Sequence, residues 1–361
     1  MAYTTIDDPS AHFQTLLYTG NAAANRAITN TGNSDLQPDW IWIMPRNNSS
    51  SYYNALQDTS RGVTKILSTN TTASEVSTSA QVISVQSDGF TIDDNADSQN
   101  YVNINSLNYV AWQWKANGGS TTSFNESGSN PGGTYQANTT SGFSIITYTG
   151  TGSAGTIPHG LGKRPKWISI KSRTETEGWH VISQLITGNT NGGMILNATD
   201  AEYTGGSNNT DTGSIDTTNI HVKTSGNVNT DGQDYVAYCF AEIPGYSKFG
   251  KYTGNENTDG TFIYTGFKPA WLMMKRHSEA GNDWIIMDST RFTFNVVEDY
   301  VRANTTDAET DQYNIDVDFL SNGFKMKGDS GNINASSAGY VYMAFAERPF
   351  VTSKGIPTTA R

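Results

Sequence analysis

One pattern of two apolar segments occurs three times in the sequence, and its constant spacing constrains the fold more than any other feature. In each copy a tryptophan lies two residues after a proline, and a tyrosine opens a second apolar segment 69, 68 and 69 residues later. The three pairs are Trp40 and Tyr109, Trp167 and Tyr235, and Trp271 and Tyr340. Chance would not hold this spacing, so the sequence predicts three tandem modules of one kind.

Both apolar segments are typical of β-strands. In the second copy the small residues Ala237 and Cys239 alternate with the large Tyr238 and Phe240, as a strand with two different faces requires. Such a strand needs a sheet partner and a second layer over its bulky face. A repeat of this length is too long for a solenoid unit and long enough for a small domain. We therefore predict an all-β chain of three tandem β-sandwich modules, jelly-roll-like, with extended terminal arms.

Shorter markers repeat with the same register. The modules open with Tyr-Thr-Gly and carry Asn-x-Thr in the middle, followed by a glutamate. The Tyr-Thr-Gly copies begin at Tyr18, Tyr148 and Tyr252, and the asparagine and glutamate pairs are Asn70 and Glu75, Asn197 and Glu202, and Asn304 and Glu309. Asn-x-Thr is also the acceptor pattern for glycosylation, but without a secretion signal we interpret these side chains as caps of turns.

Further short segments predict turns and ion pairs within the modules. Ser87-Asp88-Gly89-Phe90 and its counterpart from Ser321 to Phe324 indicate a turn that enters a strand, and Asn219–Val222 is expected to take that place in module two. Asp58 with Arg61 and Asp288 with Arg291 have the spacing of an ion pair that closes a turn. We interpret both pairs as structural and exposed, where such pairs contribute about 0 to 1 kcal/mol.

The predicted organisation is an N-terminal arm (1–16), module one (17–116), a Gly/Ser/Asn-rich linker (117–141), module two (142–245), module three (246–348) and a C-terminal arm (349–361). The linker composition indicates flexibility unless it is pinned to a surface, so module one is expected to be angled independently of the rest. Modules two and three, joined by a short segment, should form one rigid body. The apolar residues 13–17 either add a strand to module one or dock on a neighbouring subunit. The C-terminal arm, with prolines at both ends, is predicted to be extended.

Composition narrows the classes of partner. The net charge of −11 argues against nucleic acid or an anionic membrane as a partner, since either requires a basic face. Cys239 is the one cysteine, so no internal disulfide is possible, and its strand predicts burial. The first nine residues contain neither a basic region nor an apolar run, and no window approaches the length of a membrane span.

The residues that carry chemistry are scattered, and we assign no catalytic, cofactor-binding or metal-binding residues. The histidines are His12, His159, His180, His221 and His277, without zinc-ligand spacing. The densest acidic groups are Asp93 with Asp94, the set Asp307, Glu309 and Asp311, and Asp316 with Asp318. Three interpretations stay open for them: solvated loops, which we favour, calcium ligands, or the paired carboxylates of a glycosidase. Most of the eight tryptophans should be core residues rather than platforms for sugars.

Two features resemble known virion proteins. The segment from Thr156 to Ile170, with His159-Gly160-Leu161-Gly162 at its turn, resembles an element of tail-fibre and related structural proteins of tailed bacteriophages. The threefold pattern, from about Leu17 to Phe350, is similar to a repeat module in virion proteins of phages that infect marine bacteria. Modules one and three lack the His-Gly-Leu-Gly turn, so any role of His159 belongs to module two. The resemblance implies β-sandwich modules, a place on the virion and oligomeric assembly, and it supplies no catalytic residues.

We accordingly expect a non-enzymatic virion protein, made in the host cytoplasm and released by lysis. A tail-fibre or appendage component that binds a glycan or protein of the host surface is the first expectation. A purely structural subunit, such as a capsid decoration, collar or tail component, is the second, and an enzyme that degrades polysaccharide is the third. The expected partners are other virion proteins and further copies of this chain, with a trimer favoured, and neither nucleic acid nor inserted membrane.

Overall fold

The protein was analysed as a computed structural model that describes residues 3–47, 52–94, 101–186, 192–203 and 215–357. Strands hold 42% of the chain and form six antiparallel sheets. Helix within the described ranges is limited to a 3-10 turn at Pro9–Ala11 and the four-residue α1 (Gly226–Asn229). The all-β prediction is therefore confirmed.

Module one contains a larger and a smaller sheet. Its strands are β1 (Phe13–Thr19), β2 (Arg26–Ile28), β3 (Trp40–Pro45), β4 (Ala55–Asp58), β5 (Lys65–Ser68), β6 (Val76–Ser77), β7 (Val82–Gln86), β8 (Gly89–Ile92) and β9 (Asn108–Trp114). The larger sheet has the order β1-β9-β3-β4-β5-β6 and the smaller one β2-β8-β7. The predicted Trp-bearing and Tyr-bearing segments, β3 and β9, are neighbours in the middle of the larger sheet.

Module two repeats the order of the five strands β1-β9-β3-β4-β5, with two additional strands at one edge. Its strands are β10 (Thr122–Phe124), β11 (Gly132–Asn138), β12 (Phe143–Thr149), β13 (Gly155–Pro158), β14 (Trp167–Ser172), β15 (His180–Ile182), β16 (Met194–Ile195), β17 (Asn219–Val222) and β18 (Asp234–Phe240). The larger sheet has the order β10-β11-β12-β18-β14-β15-β16, and β13 pairs with β17. Asn219–Val222 thus takes the place predicted for it.

Module three has the same arrangement. Its strands are β19 (Ser247–Thr253), β20 (Phe262–Tyr264), β21 (Phe267–Arg276), β22 (Ile285–Asp288), β23 (Val301–Arg302), β24 (Val317–Leu320), β25 (Gly323–Met326) and β26 (Gly339–Pro349). The larger sheet has the order β19-β26-β21-β22-β23 and the smaller one β20-β25-β24. As predicted, the segments at residues 87–92 and 321–326 turn into strands, β8 and β25.

Each module has a core of its own between its two sheets. In module one, Ile41, Ile43 and Ala111 of the larger sheet form one hydrophobic cluster with Phe90 and Ile92 of the smaller sheet. Corresponding clusters lie in modules two and three. Because side chains alternate along a strand, the tryptophans of β3, β14 and β21 face away from these cores.

The opposite faces of the three larger sheets share a fourth core. Trp114, Phe240 and Phe345, each five residues after the tyrosine that opens its strand, meet there in a triangle with ring centroids 5.3 to 6.4 Å apart. Trp40, Trp167 and Trp271 belong to the same cluster. A residual void in this core measures about 20 Å³, room for no more than about one water molecule. The three modules are therefore packed tightly around one common centre.

This common core contradicts the expectation that module one is angled independently. The linker prediction is corrected as well, since Gly132–Asn138 within it forms β11, which pairs along its length with β12. The Gln136 side chain adds bonds of 2.7 Å to Thr59 and Ser60 of module one. The linker is therefore held against module one. The prediction of flexibility had excepted this case of a linker pinned to a surface.

Both terminal segments contact their own chain. Residues 13–17 belong to β1, which pairs with β9, so the first of the two options for this segment is correct. The Tyr3 hydroxyl donates to the Gly266 carbonyl oxygen of module three at 2.8 Å. The C-terminal arm is not extended in its described part, because Val351 bridges to Pro357 around a turn at Gly355, which has a φ of +78°. Met1, Ala2 and residues 358–361 of the predicted arms lie outside the described ranges.

Candidate functional site

Three equivalent acid contacts join the modules in a cycle. The glutamate that follows each Asn-x-Thr segment contacts one residue of the next module. That residue lies six positions after the repeated tryptophan, which is Trp40, Trp167 or Trp271. The pairs are Glu75 with Arg173 at 2.9 Å, Glu202 with His277 at 2.9 Å, and Glu309 with Arg46 at 2.6 Å. Since the third pair joins module three to module one, the modules close into a ring within one chain.

A second cycle of hydrogen bonds follows the same direction. The residue ahead of β4, β15 or β22 donates a side-chain N–H to a backbone carbonyl of the preceding module. These bonds join Trp179 to Ser68 at 2.8 Å, Trp284 to Ile195 at 3.0 Å, and Asn54 to Ala303 at 3.2 Å. The recurring asparagines bind the same three donor residues within each module. Asn70, Asn197 and Asn304 accept the backbone N–H of Asn54, Trp179 and Trp284, respectively. The asparagine side chains therefore bond across 16 to 20 positions of sequence and do not cap a local turn through these contacts, unlike the prediction.

Two of the interfaces contain a buried ion pair, which corrects the prediction of exposed pairs. Asp58 and Arg61 have fully buried side chains, as do Asp288 and Arg291. Each aspartate does close its turn, accepting the backbone N–H of its arginine at 2.8 Å. A neighbouring module covers the pair, because Tyr238 donates to Asp58 at 2.7 Å and Trp112 to Asp288 at 3.1 Å.

Module two lacks this pair. The pairing of Ile168 with Ile182 places Ser183 where modules one and three have their aspartate, and Ile186 stands in place of the arginine. The partner position changes with it, since Met343 of module three, which has no donor, replaces Tyr238 and Trp112. At this position, therefore, the buried aspartate and the side-chain donor that covers it are present together or absent together.

Buried lysines reinforce two of the three interfaces. Lys171 donates to the Thr72 carbonyl oxygen of module one at 3.2 Å, and Lys275 donates to the Thr199 carbonyl oxygen of module two at 3.2 Å. Burial lowers the pKa of both ammonium groups to about 8. Met44 occupies the equivalent position in module one and belongs to the common core.

A third set of asparagines was missed in the sequence. Asn103, Asn229 and Asn334 lie six residues before the tyrosine of each closing strand, and this spacing could have revealed them. Each side-chain oxygen accepts a backbone N–H next to the Tyr-Thr-Gly segment, from Asn21, Thr151 and Asn255. All three asparagines are fully buried. They connect the first and last strands of each module.

The histidines and the cysteine lie apart from one another. His159 accepts the Leu161 backbone N–H within its own turn at 3.2 Å, and burial lowers its pKa. His180 lies 3.3 Å from the Tyr203 hydroxyl, while His277 makes the contact with Glu202 between modules two and three. Cys239 is fully buried, as predicted, which raises the pKa of its thiol. Within the described ranges no group of three or more His, Cys, Asp or Glu side chains could hold a metal ion.

The acidic set of module three diverges instead of forming a pair. Glu309 is bound by Arg46 and Arg291, whereas Asp307 accepts from Arg302 at 2.9 Å. Asp311 is exposed. Asp318 is half-buried between the buried Val317 and Phe319 of β24. Asp93, at the far end of module one, accepts the backbone N–H of Asn25 at 3.1 Å.

All eight tryptophans are buried, from 0 to 6% exposed, so the interpretation as core residues is confirmed and no ring is left as a surface platform. The exposed aromatic rings are of other kinds and lie in one module. Within the described residues they are Phe262, Tyr264, Phe294 and Tyr313. All four belong to module three, although the three modules share their interior contacts.

Module three also has two open grooves on its surface. One, of about 600 Å³, is lined mostly by polar residues of the segment 307–313, together with Asp283, Arg302 and Asn332. The other, of about 620 Å³, is lined by residues 291–299, among which Phe294 is 75% exposed. The exposed aromatic rings and these two open grooves therefore lie on the outer surface of module three.

No helical segment in the described ranges has the length and apolarity that crossing a membrane requires. These observations define a class: an all-β protein of three repeats closed into a ring by buried polar contacts. The chain matches, over residues 8–349, the family described as "Domain of unknown function (DUF7483)", and it belongs to that family. The match spans all three modules. No curated protein and no solved structure matches the chain.

Proposed function

We propose that the protein is a non-enzymatic virion component of a tailed bacteriophage, a tail-fibre or appendage subunit that engages the host surface. The single observation that carries this proposal is the location of the exposed aromatic rings. The three repeats differ on their outer surfaces, and within the described residues the four exposed aromatic rings are in module three. Exposed aromatic groups beside polar grooves are typical of surfaces that bind a ligand or partner.

The proposal includes the finer architecture, three sandwich-like modules related to jelly rolls. Apart from the two additional strands β10 and β11 of module two, the first strand of each module pairs with the last, and the second pairs with the last strand but one. In module one these are the β1–β9 and β2–β8 pairs, in module two β12–β18 and β13–β17, and in module three β19–β26 and β20–β25. Nested pairing of this kind is how two sheets of a jelly roll are connected.

A purely structural subunit that cements its neighbours is the second candidate. It requires terminal arms that reach another chain, but the described parts of both arms contact their own chain. Asp7 accepts the Ser353 backbone N–H at 2.6 Å, and Phe13 stacks on Phe345 at 5.5 Å. This favours the appendage over the cementing subunit. A polysaccharide hydrolase is the least supported candidate, because Glu309 is held by two arginines.

Binding to cells tests the proposal. Fluorescently labelled protein should decorate host cells, and unlabelled protein should slow phage adsorption in proportion to its concentration, because both compete for one receptor. Adsorption that stays unchanged at saturating protein would contradict an appendage that binds the host. A subunit lacking residues 1–8 and 350–361 separates the second candidate, since only a cementing role requires those segments for incorporation into particles.

A further inference from the structure

The polar groove of module three has the composition of a carbohydrate site. It measures about 600 Å³ and lies between the ends of β22 and β23 and two loops. Its walls include Asp283, Arg302, Asp307, Gln312, Tyr313 and Asn332. We propose that this groove binds a neutral glycan, with Tyr313 as the stacking platform. The inference rests on the proposed function and names the chemical class of the ligand.

Tyr313 presents its ring to solvent instead of packing it. The side chain is 66% exposed, although Tyr300 of the same module is fully buried. The backbone holds it there, since Tyr313 and Asn314 both adopt left-handed conformations, with φ of +70° and +51°. The Asn314 side chain anchors this turn by donating to Asp329 at 3.0 Å. A flat apolar surface with a hydroxyl at its edge suits the C–H face of a pyranose ring.

Polar groups of both hydrogen-bonding kinds surround that ring. Asp307 is half-exposed and uses one carboxylate oxygen for Arg302 and Thr305, which leaves the other for a ligand. The Asn332 oxygen accepts the Asp283 backbone N–H at 2.9 Å, and its side-chain nitrogen has no protein partner within the described residues. Gln312 adds a second, exposed amide. Sugar hydroxyls donate and accept, so they can satisfy carboxylate and amide groups together.

The charges of the groove favour a neutral ligand. Arg302 lies 3.0 Å from Asp283, and it donates to Asp307 at 2.9 Å and to the Tyr300 hydroxyl at 3.1 Å, so its positive charge is already balanced by two carboxylates. Glu309 is in turn balanced by Arg46 and Arg291. No further cation lines the groove within the described residues. An anionic ligand would meet carboxylates without a free positive charge, and a cationic one would compete with arginines already in place.

Saturation-transfer NMR with defined hexasaccharides tests the inference on the full chain. The probes are maltohexaose, laminarihexaose and cellohexaose as neutral chains, an alginate hexasaccharide as an anion, and a chitosan hexamer as a cation. At least one neutral chain should receive saturation, and the two charged chains should not. Tyr313→Ala should weaken that binding by about tenfold or more, since stacking and its buried area are lost. Asn332→Ala should weaken it as well.

Phe294→Ala is the matched control, because it removes an equally exposed ring from the other groove of the same module. It should leave binding unchanged. The inference is overturned if no neutral chain binds, if only a charged chain binds, or if Tyr313→Ala binds as the parent does. Cell labelling separates the two levels. A Tyr313→Ala protein that labels host cells fully refutes the groove and spares the appendage, whereas glycan binding without any labelling of cells refutes the appendage and spares the groove.

Discussion

Two lysines occupy equivalent points in two of the three interfaces between modules. The Lys171 ammonium is surrounded by carbonyl oxygens, donating to Thr72, Ser172 and Glu175 at 2.8 to 3.4 Å. Burial lowers the pKa of Lys171, and the nearby Glu177 partly opposes this by raising it. Burial also lowers the pKa of His180 to about 4, and the charge of Lys171 adds to that effect. A charge placed among dipoles and away from water costs free energy, which appears as the lowered pKa of the lysine.

That lowered pKa makes stability depend on pH. The unfolded lysine keeps its proton up to its ordinary pKa of 10.5, while the folded one releases it at about 8. Between these values the unfolded chain binds more protons, so the free energy of unfolding should rise with pH, by up to about 3 kcal/mol. Lys171→Met, which copies Met44 of module one, should remove this part of the rise. Urea unfolding at several values between pH 7.5 and 10 measures it.

The comparison with the parent protein cancels the titration of tyrosines and of Cys239, which both proteins share. Lys163→Met, at an exposed position, is the control and should keep the parent slope. A slope that is the same in the parent and in Lys171→Met would show that this buried ammonium does not titrate in the folded protein below its ordinary range.

Single-residue roles could be predicted where the partner is local. The burial of Cys239 and the turn closed by Asp58 follow from neighbouring sequence, whereas Asn70 accepts from Asn54, 16 positions away. The burial of Asp58 could not be predicted, because Tyr238, which covers it, is 180 positions away in another module. Asn103 was missed for the same reason, since its partner Asn21 lies at the opposite end of the module.

At the scale of strands, β4 and β22 end in a buried ion pair and β15 does not. In module one, Arg61 also donates to the Leu56 carbonyl oxygen at 3.2 Å and to Glu75 at 2.8 Å. It therefore connects the end of the strand with the contact between Glu75 and Arg173 of module two. Module two forms the same strand with Ser183 and Ile186. An uncharged version of this element therefore exists within the same chain.

This internal example gives a prediction for the pair. Asp58→Ser should destabilise the protein by about 3–5 kcal/mol, because Arg61 and the Tyr238 hydroxyl then lose a buried partner. The double variant Asp58→Ser with Arg61→Ile copies module two and should recover part of that loss. Chemical unfolding of the two single variants and the double variant measures the coupling. Additive losses would show that the pair does not act as a unit.

Strands could be predicted where the pattern of side chains indicates them. They could not be predicted where only backbone pairing with a neighbouring strand forms them. β3, β9 and their counterparts have aromatic and β-branched residues with clear alternation. β11 has Gly132, Gly133 and Asn138, which are typical of linkers, and it becomes a strand because the open edge of β12 provides seven residue pairs. Tertiary pairing here overrides composition.

At the scale of the whole molecule, the sequence repeats predicted modules that pack separately. In the structure, the sheet faces that carry the tryptophans pack against one another and join the three modules. A strand pattern shows that one face of a sheet is apolar but not what covers that face. In module one the small sheet covers β3 and β9 on one side, and modules two and three cover the other side. Trp40 lies 5.1 Å from Tyr238, and Trp114 lies 5.6 Å from Trp271. The expected trimer stays a prediction, and it would have to use outer surfaces, since these inner faces are already paired.

A shared core predicts one cooperative unfolding transition. Trp40→Ala in module one and Trp271→Ala in module three should each cost about 3–5 kcal/mol and lower the same transition, because both open a cavity at the common centre. Phe90→Ala, in the separate core of module one, is the control for a module that unfolds alone. If the modules unfold together, this variant also moves the whole transition. Calorimetry compared with intrinsic tryptophan fluorescence measures it, and two or three resolved transitions, with Phe90→Ala moving only one of them, would return the molecule to independent beads.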